Sequence, residues 1–87
     1  MKPYRIKHKP TGLYYQPTVN GNNLSKTGKV YLTNNNVLNG TDSFVFISFK
    51  EKSKLYRENE RFFPSLKPYC AFMTGRVPKT EFEKEEL

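Results

Sequence analysis

Cations interleaved with aromatic rings are the chemistry this sequence offers. Arg5, Lys7 and Lys9 alternate with Tyr4, Ile6 and His8; Tyr14 and Tyr15 follow a Pro10-Thr11-Gly12 break, and Lys26, Lys29 and Tyr31 come soon after. Such a combination suits single-stranded nucleic acid: cations track the phosphates while flat rings stack on the bases. The expected binding residues are therefore Arg5, Lys7, Lys9, Tyr14, Lys26, Lys29 and Tyr31. The bland alternative is that the tyrosines are core and the lysines merely solubilise. What favours the functional reading is the distribution of charge. Residues 1–41 hold Lys2, Arg5, Lys7, Lys9, Lys26 and Lys29 and no carboxylate, whereas a surface built only for solubility intersperses both signs.

Other chemistries find little support. One histidine and one cysteine, far apart in sequence, cannot supply a zinc site, which needs several nitrogen or sulfur ligands. No glycine-rich phosphate loop opens a helix. Most carboxylates lie in the C-terminal tail or beside lysines, so no catalytic pair stands in a cleft-forming context. His8 could act as a general base, but its basic neighbours in a strand argue for a surface or half-buried role. Cys70, between Tyr69 and Ala71-Phe72, reads as a small core residue rather than a nucleophile. The expectation is a non-enzyme with no cofactor and no metal.

These residues need elements to position them. Tyr4 to His8 reads as a strand with Tyr4, Ile6 and His8 on one face and Arg5, Lys7 and Lys9 on the other. The Pro10-Thr11-Gly12 turn returns the chain through Leu13 to Gln16. Residues 18–28 form a polar loop, and Lys29 to Thr33 a third strand. A short helical turn is expected around Val37-Leu38, between asparagine-rich breakers. Ser43 to Phe49 is the most hydrophobic segment and is expected as the central strand, with both faces covered. Residues 50–61 fit either a helix or a hairpin with Leu55 to Arg57 as a strand, and the weak helical stripe favours the strand. Tyr69 to Thr74 is expected as a last short strand.

Eighty-seven residues make one domain. A chain this short needs a dense core, and seven Phe and six Tyr must supply it. The expected fold is mainly β: a small curled antiparallel sheet or partly open barrel of five or six strands, with little helix. Residues 1–79 form the basic body. Residues 80–87, with Glu81, Glu83, Glu85 and Glu86 against Lys84, are expected as an acidic mobile tail or frayed helix, free to be inert or to fold back and compete with nucleic acid. The net charge of +7 favours nucleic acid, acidic proteins or anionic surfaces. A single cysteine, no leader-like N-terminus and no long apolar run point to a cytoplasmic protein without a membrane partner.

The segments Tyr4 to Tyr15 (Tyr-Arg-Ile-Lys-His-Lys-Pro-Thr-Gly-Leu-Tyr-Tyr) and Asn23 to Tyr31 (Asn-Leu-Ser-Lys-Thr-Gly-Lys-Val-Tyr) resemble small basic accessory proteins of T4-group tailed bacteriophages. That resemblance implies a phage protein in the host cytoplasm, inhibiting a host toxin ribonuclease of a toxin–antitoxin system with RNA taking part. It assigns no individual residue a role. Two other classes stay open. One is a direct protein inhibitor or modulator of an acidic host protein, such as the transcription machinery, without nucleic acid. The other is a small toxin-type ribonuclease using Lys, Arg and Tyr, which a chain starting directly with a strand disfavours.

Overall fold

The computed structural model describes residues 2–17 and 21–87. Among them, seven strands make two antiparallel sheets, with one short helix. β1 (Tyr4–His8) shows the alternation expected of it, burying Tyr4, Ile6 and His8 and leaving Arg5 and Lys7 half-buried on the other side. The chain reverses through Lys9–Gly12, where Gly12 at φ 75 takes the left-handed conformation that glycine accepts without steric cost. β2 (Tyr14–Tyr15) and β3 (Leu24–Ser25) continue the sheet beside β1. On the other side of β1 lies β7 (Phe82–Glu86), so the first sheet has the order β3-β2-β1-β7. The second sheet has the order β4-β6-β5, from β4 (Phe44–Lys50), β5 (Lys67–Tyr69) and β6 (Phe72–Pro78).

The sheets bury their inner faces together. Tyr4, Ile6, Leu24 and Phe82 from the first join Val45, Ile47, Phe49 and Val77 from the second in one core. Asn22 and Asn23 stitch the layers at the outer edge of β4. The Asn23 side-chain amide donates to the Phe46 carbonyl at 2.9 Å, its carbonyl oxygen accepts from Ser48 N–H at 2.9 Å, and Asn22 Oδ1 accepts from Lys50 N–H at 2.7 Å. A buried asparagine is tolerated here because its polar atoms replace a missing neighbouring strand. Gly28, at φ 64, sits beneath the Tyr14–Tyr15 pair; a Cβ there would run into the Tyr14 Cβ and, at 2.9 Å, the Tyr15 carbonyl.

The mainly β class holds, with its strands divided between two sheets that do not close. Several local expectations change. Residues 80–87 are no free tail: the side chains of Glu83 and Glu85 are carried on β7, which runs antiparallel to β1 over its whole length because Phe82 is an inward-facing core residue. Residues 50–61 hold α1 (Lys54–Asn59), continued by a 3-10 turn over Glu60–Phe62, rather than a strand. Ser53 caps this helix, accepting from Tyr56 N–H at 3.2 Å, and Tyr56 and Phe63 pack on Phe49. Lys29 to Thr33 shrinks to a single bridge between Tyr31 and Tyr4, since Val30 and Leu32 remain exposed and only Tyr31 finds a place in the core. The turn at Val37–Asn39 is a 3-10 turn capped by Asn36. The predicted loop at 18–28 contains β3, and its residues 18–20 lie outside the described residues.

Ser43 to Phe49 corresponds to β4, but β4 is an edge strand and β6 is the central one. Only one of its faces is covered. The single helix packs on the inner side with Phe49, which leaves Phe44 and Phe46 bare at 49% and 58% exposure. His8 is fully buried, not superficial: its even position in β1 places it with Tyr4 and Ile6, stacked on Phe63 and against Phe82 with ring centroids 5.0 Å away in each case. Tyr69 to Thr74 is no single strand but a hairpin. Cys70 and Ala71 form its two-residue turn at φ 48 and 68, which exposes Cys70 instead of placing it in the core.

Candidate nucleic-acid interface

Two outer sheet faces carry cations beside aromatic rings, and they differ in what the cations already touch. On the first sheet, alternation aims Arg5 and Lys7 outward, next to Tyr14, whose Cα lies opposite that of Lys7. The β1–β7 register sets Arg5 across from Glu85 and Lys7 across from Glu83. Glu85 gathers its neighbours: Tyr14 Oη donates to Oε1 at 2.6 Å, and Lys7 Nζ lies 3.3 Å from Oε2. Hydrogen bonds from Tyr14 and Lys7 hold the Glu85 carboxyl below its usual range, while Glu85 raises both Lys7 and Tyr14 above theirs. The Arg5 guanidinium lies 5.1 Å over the Tyr14 ring, and its Nε is buried without a hydrogen-bond partner.

The other residues expected of this face are scattered. Lys9 and Lys26 are exposed. Lys29 Nζ lies 5.0 Å over the Tyr31 ring. Tyr31 itself is only 6% exposed and stacks on Tyr4 at 5.4 Å, so no base can reach its face. Burial, with Tyr15 and Tyr4 alongside, pushes its hydroxyl up to about 12 and keeps it neutral. Arg5, Lys7 and Tyr14 thus come together, but around a carboxylate.

The second sheet presents a different outer face. Directly opposed residues share a side in an antiparallel sheet, so the register assigns it residue by residue. Phe44 pairs with Pro78, Phe46 with Arg76, Ser48 with Thr74 and Lys50 with Phe72, while Lys67 lies beside Thr74 and Tyr69 beside Phe72. Tyr69 is 69% exposed, and Lys50, Lys67 and Arg76 are all exposed. The Cys70–Ala71 turn is what sets Tyr69 and Phe72 side by side. Both turn residues take positive φ, as the tight turns matching strand twist require.

The result is two aromatic groups, Phe44–Phe46 and Tyr69–Phe72, with a hydroxyl-lined saddle of Ser48 and Thr74 between them. None of the ten residues on this face is a carboxylate; Asp42 lies beside Phe44 and Arg76 at one end, and Glu51 lies at the other. A hollow of about 250 Å³ is lined by Phe46, Ser48, Tyr69, Cys70, Phe72 and Thr74.

This second face was missed because β4 is apolar at both odd and even positions. Phe44 and Phe46 look like core as much as Val45 and Ile47 do. The available signal was the small number of segments able to cover two faces, together with Ser48, Lys50, Thr74 and Arg76 in the same alternating rows. Among the described residues no group of His, Cys, Asp and Glu could hold a metal ion, and no helix is long and apolar enough to cross a membrane. No protein-family model, curated protein or solved structure matches this chain.

Proposed function

We propose that this protein is a non-enzymatic binder of single-stranded RNA that holds its ligand on the outer face of β4, β6 and β5. The observation carrying this reading is the exposure of Phe44, Phe46 and Tyr69, with Phe72 alongside, among Lys50, Lys67 and Arg76 and without a carboxylate on the face. Rings left in water cost free energy unless a partner covers them. The neighbouring cations select a partner that is both flat and anionic, and unpaired nucleotides are both. A duplex hides its bases and offers such rings nothing to stack on.

The resemblance of residues 4–15 and 23–31 to T4-group phage accessory proteins supplies the biological setting for the proposal. In that setting the protein works in the host cytoplasm and neutralises a toxin ribonuclease by engaging it together with RNA.

The test is fluorescence anisotropy on a short unpaired RNA, comparing the wild-type protein with K67E/R76E and K7E/K9E. If three cations meet phosphates, log affinity falls with log salt at a slope of about −2. K67E/R76E should abolish most of this dependence, and K7E/K9E should change it far less. The opposite order would return the site to the first hairpin. Equal affinity for duplex and single strand would remove the stacking argument. Pull-down from bacterial lysate with and without RNase then tests the setting, since a ribonuclease retained only while RNA survives is the expected outcome.

A further inference from the structure

Resting on that reading, we infer that the hollow between Phe46 and Phe72 seats one nucleobase, with its polar edge on the hydroxyls of Ser48 and Thr74, while the other rings stack its neighbours. The face is not a uniform aromatic platform. Rows of outward side chains follow one another at about 7 Å along a strand, and neighbouring strands lie about 4.8 Å apart. Phe46 and Phe72 are two rows and one strand apart, roughly 14 Å between backbones on those spacings. The row between them carries Ser48 and Thr74, two small hydroxyl side chains where every other row has an aromatic ring or a proline.

The hydroxyls are differently committed. Ser48 Oγ donates to the Gly21 carbonyl at 3.2 Å, so toward the hollow it offers lone pairs. Thr74 has no side-chain hydrogen bond among the described residues and can donate or accept. Together they present an acceptor beside a donor, the complement of the adjacent donor and acceptor on a base edge. Lys67 flanks Thr74 in the same row and Lys50 flanks Phe72 in the next, where phosphates on either side of the seated nucleotide can be met. Arg76 beside Phe46 meets the backbone at the other end. The ligand is therefore a short unpaired stretch with one base inserted and its neighbours laid flat.

The experiment is a binding cycle between protein and RNA variants. A short oligouridylate of about six nucleotides is synthesised intact and with a single abasic residue at each position in turn. Anisotropy is measured against wild type, Thr74→Val and Phe46→Ala, with circular dichroism confirming that each variant is folded. One abasic position is expected to lose more affinity than the others. Thr74→Val should weaken the intact oligomer about 3- to 10-fold and leave the oligomer abasic at that position unchanged. Phe46→Ala should weaken all oligomers by about 5- to 150-fold.

Equal losses of affinity from Thr74→Val on intact and abasic RNA would overturn the seated base and leave the stacking face standing. No effect of Phe46→Ala on any oligomer would overturn the face itself, and the inference with it.

Discussion

The outer faces of the two sheets are built from the same residue types and arrive at opposite electrostatic states. On the first, Arg5, Lys7 and Tyr14 meet Glu83 and Glu85, brought alongside by β7. On the second, Lys50, Lys67 and Arg76 lie among Phe46, Phe72 and Tyr69, and no strand supplies a counter-charge. Local sequence favours the first face, because its cations are consecutive alternating positions of one strand. Pairing partners decide against it. A cation already hydrogen-bonded to a carboxylate must give up that bond before it can neutralise a phosphate, whereas a free cation simply exchanges its counterions.

The comparison is broken most directly by removing rings. Phe46→Ala with Phe72→Ala should lower affinity for unpaired RNA by about 1–3 kcal/mol for each ring. Thermal stability should barely move, because Phe46 stands in solvent and Phe72 is half exposed. Tyr14→Phe, which removes only the hydroxyl held by Glu85, should leave RNA affinity as it is. Titration of the three proteins with one labelled oligomer settles the ranking. A loss with Tyr14→Phe as large as with the double variant would mean that the sheets have exchanged roles.

His8 tests what keeps the first face neutralised. Its ring is buried against Phe63 and Phe82, with Nδ1 2.8 Å from Thr11 Oγ1 and Nε2 2.8 Å from Glu81 Oε1. Thr11 Oγ1 accepts from Leu13 N–H, which leaves its own proton for Nδ1; the neutral ring then donates through Nε2 to Glu81. Burial lowers the His8 pKa below its ordinary 6.5, against the opposing pull of Glu81. A depressed folded value means stability fully present above 6.5 and lost as pH falls through the folded value. Melting temperature should accordingly hold above the ordinary histidine range and fall as pH drops below 6.5, and His8→Phe should flatten that slope. His8→Ala empties a ring-sized site that joins β1 to the start of β7, and should cost about 3 kcal/mol in chemical denaturation. A pH profile unchanged by His8→Phe would assign the acid sensitivity elsewhere.

The legible parts of this fold are those written over five to seven consecutive residues. The alternation of Tyr4 to His8 names its own buried face, Gly12 marks its turn, and the run from Phe44 to Phe49 announces a strand. What could not be read depends on distance or on absence. Glu85 lies across from Arg5 although eighty positions separate them in the chain, and nothing in Phe82-Glu83-Lys84-Glu85-Glu86 says which strand it will join. α1 spans six residues and buries only Tyr56, too little for a helical stripe to register. The bare face of β4 is a missing cover, which no residue of β4 can signal. Cys70 and Ala71 adopt a turn usually marked by Asn or Gly, so the ordinary turn signal was missing there.

The smallest expected effect is the most informative about the two faces. Glu85→Gln removes the charge that Lys7 and Tyr14 share but keeps an acceptor of the same shape. β7 stays paired, since its place in the sheet rests on backbone bonds and on Phe82 in the core. Lys7 and Arg5 then face solvent with Glu83 as the remaining carboxylate opposite them on β7. If RNA bound on the second sheet reaches round to the first, the salt dependence should steepen by about 0.7 for each phosphate newly met, and affinity at low salt should rise. If the slope stays at its wild-type value, the acidic strand does not mask an RNA site, and the pairing of Glu85 with Lys7 and Tyr14 serves the sheet alone. Either slope is read on a protein whose aromatic face is untouched, so the result separates the contribution of the first sheet from that of the second.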